Sequence, residues 1–499
     1  MKASKIIVWA IVFALGLSSC SKTSFLGKDK AVQVTINDTT YYFLFRENNE
    51  AMVTYPNYPG DNEGGFYRGR LSIPETFEYE DKEYTVVGIG DKAFSDCDDL
   101  RGVKIPNTVT FIGVGAFENC EYLMEIEIPD SVIIIEGCAF KDCRSLREIK
   151  IPNSVTSIGE SAFENCESLK SIEISSSITE LPDHVFSGCG FRSFEIPNTI
   201  TKVNGWAFSY CRKLVSITIP EAVSYIGNKA FYSCRNLVAI NVDAGNMHYK
   251  SDNGILFNKN GDTLIQFPQG ISGDYVIPDG VVIVDEGAFM ECDNLVSVCL
   301  SNTVATLRTW AFSGCSNLIS VSISSSVSSI DEYVFYSCNR LESIEVDPAN
   351  VRYSSEDGVL FDDQEHELKT CPAAKQGDYI VPTSVTTIGE WSFMNCERLF
   401  SVTIPNTVVA IKYDAFSGCS GLRSMVIPAS VKNIGDCCLP WELTSLVCLA
   451  LVPPDNVGGW RLFNGFNEGL REIKVPNSSV ASYKSAPGWK EYASIIVGI

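Results

Sequence analysis

The sequence predicts a β-rich repeat solenoid, a chain wound into stacked coils of nearly constant length, and three observations predict it. A Cys recurs at Cys97, Cys120, Cys143, Cys166, Cys189, Cys211, Cys234, Cys292, Cys315, Cys338, Cys396 and Cys419, with a step of 23 residues broken by one step of 22 and two of 58. A Phe stands three residues before each of these Cys. A Leu-x-x-Ile-x-Ile text follows most of them, and the stretch from Val155 to Ser177 shows the whole skeleton: Val155, Ile158, Gly159, Ala162, Phe163, Cys166, Leu169, Ile172 and Ile174. A fixed period of this size marks units that cannot bury their apolar face alone and must stack.

Within a unit, Ile172 and Ile174 fall on one side of an extended segment and Ser171 and Glu173 on the other, which predicts a short strand stacked parallel on its neighbours. Pro follows this strand at Pro106, Pro129, Pro152, Pro197, Pro220, Pro405 and Pro428, because proline cannot donate the next ladder bond. The chain turns inward again at Val155 and Ile158, with Gly159 at a bend. Ala162-Phe163-x-x-Cys166 is too short for a full helix and reads as one helical or 3₁₀ turn. One unit buries about five large apolar side chains at ~1.5–3 kcal/mol each, while ordering it costs roughly 1 kcal/mol or more per residue. Contacts between units must close that deficit.

The recurrent AFxxCxxLxxIxIP text, from about Val86 to Gly435, resembles the leucine-rich repeat, specifically the 23-residue bacterial subtype of the BspA-like surface proteins. The resemblance implies a curved right-handed solenoid with a parallel sheet on its concave side. It also implies a non-catalytic role at a bacterial surface, with adhesion to host matrix proteins or other cells.

The N-terminus carries Lys2 and Lys5, an apolar run from Ile6 to Leu17 and then Leu17-Ser18-Ser19-Cys20. The run is too short to span a bilayer comfortably and reads as an export signal over residues 1–19. The ending resembles a lipobox, which implies that Cys20 is acylated and becomes the mature N-terminus; ordinary secretion with an incidental Cys is the alternative. Residues 20–30 form a polar tether. Residues 31–85 lack the ruler, and VQVTIND, TTYYFLF, EAMVTY and YRGRLSIP read as short strands with turns at Asn37-Asp38, Asn48-Asn49 and Gly60-Asp61. An open solenoid end exposes core and strand edge, so this segment reads as an N-terminal β cap. The rival is an independent ligand-binding β domain, for which about 55 residues is small.

The solenoid proper runs over 86–435, as one elongated body. Its two long steps hold insertions at about 243–277 and 347–381 that match at an offset of 104: Tyr249, Gly254, Phe257, Leu264, Pro268 and Tyr275 answer Tyr353, Gly358, Phe361, Leu368, Pro372 and Tyr379. A three-repeat block has been duplicated. GILFNKNGDTLIQFP reads as a hairpin turning at Asn260-Gly261, and the second copy turns over Asp362 to Glu365. These hairpins either brace the spine, as the apolar and turn residues that recur suggest, or project as a binding surface. Residues 436–499 read as a degenerate repeat with a last strand at Leu470-x-x-Ile473-x-Val475, then a C-terminal cap from Tyr483 to Tyr492 with Trp489 covering the core.

Hydrophobic residues make up 45% of the 499 and mean hydropathy is +0.07, ample for a folded core. Net charge of −22 argues against nucleic acid or anionic lipid as partners. Only His184, His248 and His366 occur, in a repeat turn, at an insertion start and at a hairpin tip, with no nucleophile motif beside them. Gly88-Ile89-Gly90 and Gly113-Val114-Gly115 do not complete a phosphate loop and sit in the repeat bend. The twelve ladder Cys read as buried free thiols; Cys138, Cys299, Cys371, Cys437, Cys438 and Cys448 lie off the ladder, and a disulfide among them stays open. The outward strand columns, Lys104, Glu127, Lys150, Glu173 and their successors beside a Ser-rich column, read as a flat polar surface with no compact hot spot.

Taken together, the expectation is an exported, lipid-anchored protein of the outer membrane or cell surface, without catalytic, metal or cofactor residues. It would bind a protein, such as a host matrix or cell-surface protein, or a glycan, and touch the membrane only through its lipid. The alternative is a structural envelope lipoprotein that scaffolds without a host ligand.

Overall fold

The structure, a computed structural model, describes residues 30–56, 66–457 and 469–499. These fall into two compact units, Met1–Phe191 with Thr199–Ser209 and Ile226–Ala230, and Arg192–Asn198 with Tyr210–Tyr225 and Phe231–Ile499. The expected export signal, Cys20, the tether short of Lys30 and the Gly60-Asp61 turn lie outside the described residues.

Each unit is a β-solenoid of parallel strands. In the first, the strand Glu148–Lys150 pairs parallel with Ser171–Glu173, Ile149 facing Ile172. A second, shorter strand runs on the other side of every coil: Phe111–Ile112, Ile134–Ile135 and Ser157–Ile158 stack in register. Val155 and Leu169 are fully buried, Ile158 nearly so, so both strands face one core.

The stretch from Ser161 to Cys166 is not the helical or 3₁₀ turn expected. Ser161 and Asn165 both have left-handed φ, 57° and 58°, and alternate amides leave the coil: Ser161 N–H donates to Asp183 O at 3.0 Å, Phe163 N–H to Val185 O at 3.1 Å and Asn165 N–H to Ser187 O at 2.7 Å. A helix would aim every N–H along its own axis. With left-handed residues at both ends of the stretch, every second donor points to the next coil, so this side also bonds coil to coil. It stacks the Phe rings: Phe94, Phe117, Phe140 and Phe163 lie 4.9, 5.3 and 5.4 Å apart and within 4° of parallel.

At the start of the first unit, Val32–Ile36, Thr39–Phe45 and Glu50–Thr54 form an antiparallel meander. Glu50–Thr54 then pairs parallel with Lys82–Ile89, and Gly69–Ser72 with Leu100–Lys104. The segment is thereby sewn into both solenoid sheets. Tyr67, buried, lies 4.7 Å from Phe94 and extends the ring stack. The hairpin Thr76–Tyr79 with Lys82–Ile89, turning at Glu80 and Asp81 with φ of 47° and 58°, has no sequence expectation behind it, since its turn holds neither Gly nor Asn.

In the second unit each insertion adds strands to the sheets. Tyr249–Asp252, Ile255–Asn258 and Thr263–Gln266 form an antiparallel meander. Its third strand pairs parallel with Ile283–Val284, the place of a short strand, while Gly273–Val276 pairs with Leu295–Cys299, the place of a long one. Phe267 takes the Phe slot, its ring 4.8 Å from Phe289. The copy repeats this with Tyr353–Glu356, Val359–Asp362, Glu367–Thr370 and Gly377–Ile380. Both open on a buried or half-buried Asn that sequence reading passed over. Asn246 Nδ2 donates to Pro220 O and Val223 O at 2.7 and 2.9 Å, and its Oδ1 accepts the amides of His248 and Tyr249, each at 2.8 Å. Asn350 does the same with Ser324, Val327, Arg352 and Tyr353. The signal was present, two Asn at the duplication offset.

The unit ends on Ser445–Cys448, Glu472–Val475 and an unexpected last strand Ile496–Gly498, all parallel. Tyr483, on the helix Val480–Ser485, packs edge-on at 4.8 Å to Trp489. Both rings are fully buried, and their polar atoms donate to Ala450 O and Pro454 O.

Candidate interaction surfaces

The ladder Cys are structural, and more than small apolar fillers. Cys143 Sγ donates to Phe117 O at 3.1 Å, Cys166 Sγ to Phe140 O at 3.2 Å and Cys189 Sγ to Phe163 O at 3.1 Å. In the second unit Cys315, Cys338 and Cys419 do the same to Phe289, Phe312 and Phe393. Each thiol ties its coil to the previous one with a weak S–H donor in a buried slot. Burial pushes the Cys143 thiol well above the ordinary range, which removes the nucleophilic thiolate. The described Cys form no disulfide, and Cys299 alone among them is exposed. Among the described residues no group of three or more His, Cys, Asp and Glu could hold a metal ion.

The outward columns of the long strands are aligned as the period demands. In the first unit Lys104 stands beside Glu127 and Lys150 beside Glu173, the latter pair 3.4 Å apart and exposed. Such pairs contribute about 0–1 kcal/mol and make the face polar. In the second unit the column runs Val276, Cys299, Ser322, Glu345, and Ile380 stands beside Thr403. Val276 is 64% and Ile380 72% exposed, with Phe400 at 70% nearby in the Leu399–Thr403 strand. A shallow depression of about 650 Å³ lies along the Val276 to Glu345 column, lined by Val276, Pro278, Cys299, Ser322, Glu345 and Asp347. The face is therefore less polar in this unit than its Ser-rich text suggests.

The chain matches the family model described as a BspA type leucine rich repeat region (6 copies) over residues 87–214, 179–273, 269–357 and 371–484. It belongs to the BspA-type leucine-rich repeat family. No curated protein matches it significantly. Among solved structures it is similar to a leucine rich cell surface protein from Faecalibacterium prausnitzii A2-165, at 28% identity and a TM-score of 0.55 over 80% of this chain and 95% of that one. It shares its fold with a leucine-rich repeat protein from Eubacterium ventriosum ATCC 27560, at 22% identity and a TM-score of 0.51 over 81% and 93%. BspA-type repeats are binding scaffolds and generally non-enzymatic.

A compact aromatic cluster exists on this BspA-type chain away from the strand columns, for which no hot spot was expected. In the second unit Trp391 lies 5.6 Å from Tyr333, 6.2 Å from Tyr336 and 5.4 Å from Tyr413, all edge to face, and Trp310 lies 6.1 Å from Tyr333. Trp310, Tyr333 and Trp391 all occupy the left-handed slot before the Phe, with φ of 58–59°, a conformation that disfavours bulky side chains. Sequence reading missed the cluster because it followed the strand columns, and these residues sit in the turn. In the first unit the same slot stacks His184 on Trp206 at 5.6 Å, with Lys229 over the indole at 5.1 Å. His184 is thus a surface stacking residue. His248 packs near Tyr249, and the His366 carbonyl accepts the Thr386 and Thr387 amides of the following coil. Cys20 lies outside the described residues. No helix among them is long and apolar enough to cross a membrane.

Proposed function

We propose that this chain is an exported repeat protein, anchored through a lipid on Cys20, that binds a protein on a host or neighbouring cell through the outward face of its long strands in the second unit. The observation that carries this reading is the aligned column from Val276 through Cys299 and Ser322 to Glu345 with the depression beside it, together with the exposed apolar Val276 and, on the separate Gly377–Ile380 and Leu399–Thr403 sheet, the exposed Ile380. Regular strands hold such groups without further loss of backbone entropy on binding, and exposed apolar patches on soluble proteins mark contact surfaces. The similarity to a cell surface protein supports display outside the cell. The excess of acidic over basic residues favours a neutral or basic partner over nucleic acid.

Residues 31–499, immobilised and exposed to fibronectin, laminin, collagen and epithelial cell-surface extract, should retain a protein that the double variant Val276→Asp with Ile380→Asp loses. Protease treatment of intact cells should shave the chain from the surface, and Cys20→Ala should abolish incorporation of labelled palmitate. Complete protection from protease would sink the adhesive reading and leave a scaffold facing the periplasm.

A further inference from the structure

The duplicated block provides an internal comparison, because the two insertions share a backbone and differ in side chains. In the first copy Phe267 and Gln269 are buried and fill the space under the next turn, Gln269 Nε2 donating to Met290 O at 2.7 Å. In the second copy the corresponding residues are Cys371 and Ala373. The lost volume leaves a cleft of about 260 Å³, with Cys371, Pro372 and Ala373 in its lining. Its walls are Tyr333, Tyr336 and Trp391, where the first copy has Lys229, Tyr232 and Gly287. Glu367 and Lys369 replace Thr263 and Ile265. The fold does not require this set, since the first copy builds the same coil without it.

The chemistry narrows the occupant. Glu332, Glu390, Glu367, Lys369 and Lys412 line the cleft, and Lys412 is engaged by Glu367. Asp331, Glu332, Glu365, Glu367 and Glu390 outnumber Lys369 and Lys412 in the lining, so an anionic ligand is disfavoured; burial raises the Glu390 carboxyl above its usual range. Trp391 Nε1 is buried without an acceptor among the described residues. A quaternary ammonium ion would suit three rings and two free carboxylates but offers no acceptor to the indole or to Lys369. A pyranose offers both: its C–H face stacks on an aromatic ring, its hydroxyls donate to the carboxylates and accept from N–H groups. The volume lies just below the roughly 300–1,000 Å³ of drug-sized sites, which suits one ring with the remaining sugar in solvent.

We propose that this cleft between the Tyr333–Tyr336 turn and Trp391 binds a sugar ring of a neutral glycan, independently of the strand face above.

Residues 31–499 are titrated with cellotriose, maltotriose, mannotriose and chitotriose, read by tryptophan fluorescence and saturation-transfer NMR, with tetramethylammonium in parallel. At least one sugar should saturate, and Trp391→Gly and Tyr333→Lys should each weaken it by about tenfold or more. Both variants install the first copy's residue, so the coil should still form, and the circular dichroism spectrum of each variant should match that of the parent. Failure of all four sugars overturns the proposal. So does sugar binding untouched by both variants, and so does binding of tetramethylammonium alone, which would make the cleft a cation box.

Discussion

Replacing Phe163 by Ala tests the packing logic of the whole solenoid. Phe163 is fully buried in the first unit, with Phe140 at 5.4 Å on one side and Phe186 at 5.9 Å on the other. Truncating a buried Phe costs about 3–5 kcal/mol, and each stacked pair contributes about 0.5–1.5 kcal/mol within that loss. With two stacks broken, the expected cost lies toward the upper end, about 4–5 kcal/mol. Phe416, whose ring stacks at 4.7 Å on Phe393 and has no Phe in the slot after it, should cost about 1 kcal/mol less on the same grounds. Urea unfolding followed by circular dichroism measures both, and native-state hydrogen exchange locates the loss. Because coils are stabilised by their neighbours, amides of the coils before and after Phe163 should lose protection together. A loss below about 1 kcal/mol, or one confined to a single coil, would refute the claim that the ring stack joins the coils.

Asn246→Ala strands two carbonyls and two amides at the first insertion, and at about 1–3 kcal/mol for an unsatisfied buried group the loss should reach about 2–4 kcal/mol by urea unfolding; a value near zero would mean water replaces the side chain. At mildly alkaline pH, Ellman's reagent should react quickly with Cys299 in folded 31–499 and with the ladder thiols only after denaturant, without any reductant; a requirement for reductant would reveal disulfides. Asp414 has its carboxyl raised by burial, with Tyr413 and Ser417 opposing. A raised folded-state carboxyl contributes stability present below its unfolded pKa and lost as pH rises through the folded one. Asp414→Asn, at a φ of 51° that Asn tolerates well, should therefore raise the neutral-pH melting temperature, with the gain shrinking on acidification; a gain that grew toward acid would reverse the sign of the argument.

The recurring Phe, Cys and Leu-x-x-Ile-x-Ile positions were sufficient to derive the solenoid, because a period repeated this often leaves only stacking as a way to bury the same face each time. The duplication at offset 104 and the burial of the ladder Cys were legible for the same reason. Sequence alone did not disclose the left-handed residues that turn Ser161 to Cys166 into a third bonding side, since the first left-handed slot is filled by residues as varied as Ser161, His184, Trp206 and Tyr333, most of which carry no left-handed signal as Gly does. Nor did it disclose that each Cys is a donor to the previous Phe carbonyl, which depends on the distance between coils. The cleft at Trp391 came from tertiary structure entirely: Tyr333, Cys371 and Trp391 are brought together because the insertion's strands enter the sheets as an added coil, and its missing volume becomes visible only when Cys371 and Ala373 are set in the space that Phe267 and Gln269 fill. Period determines where a chain stacks; the volume left between stacked coils is decided by side chains that meet only after folding.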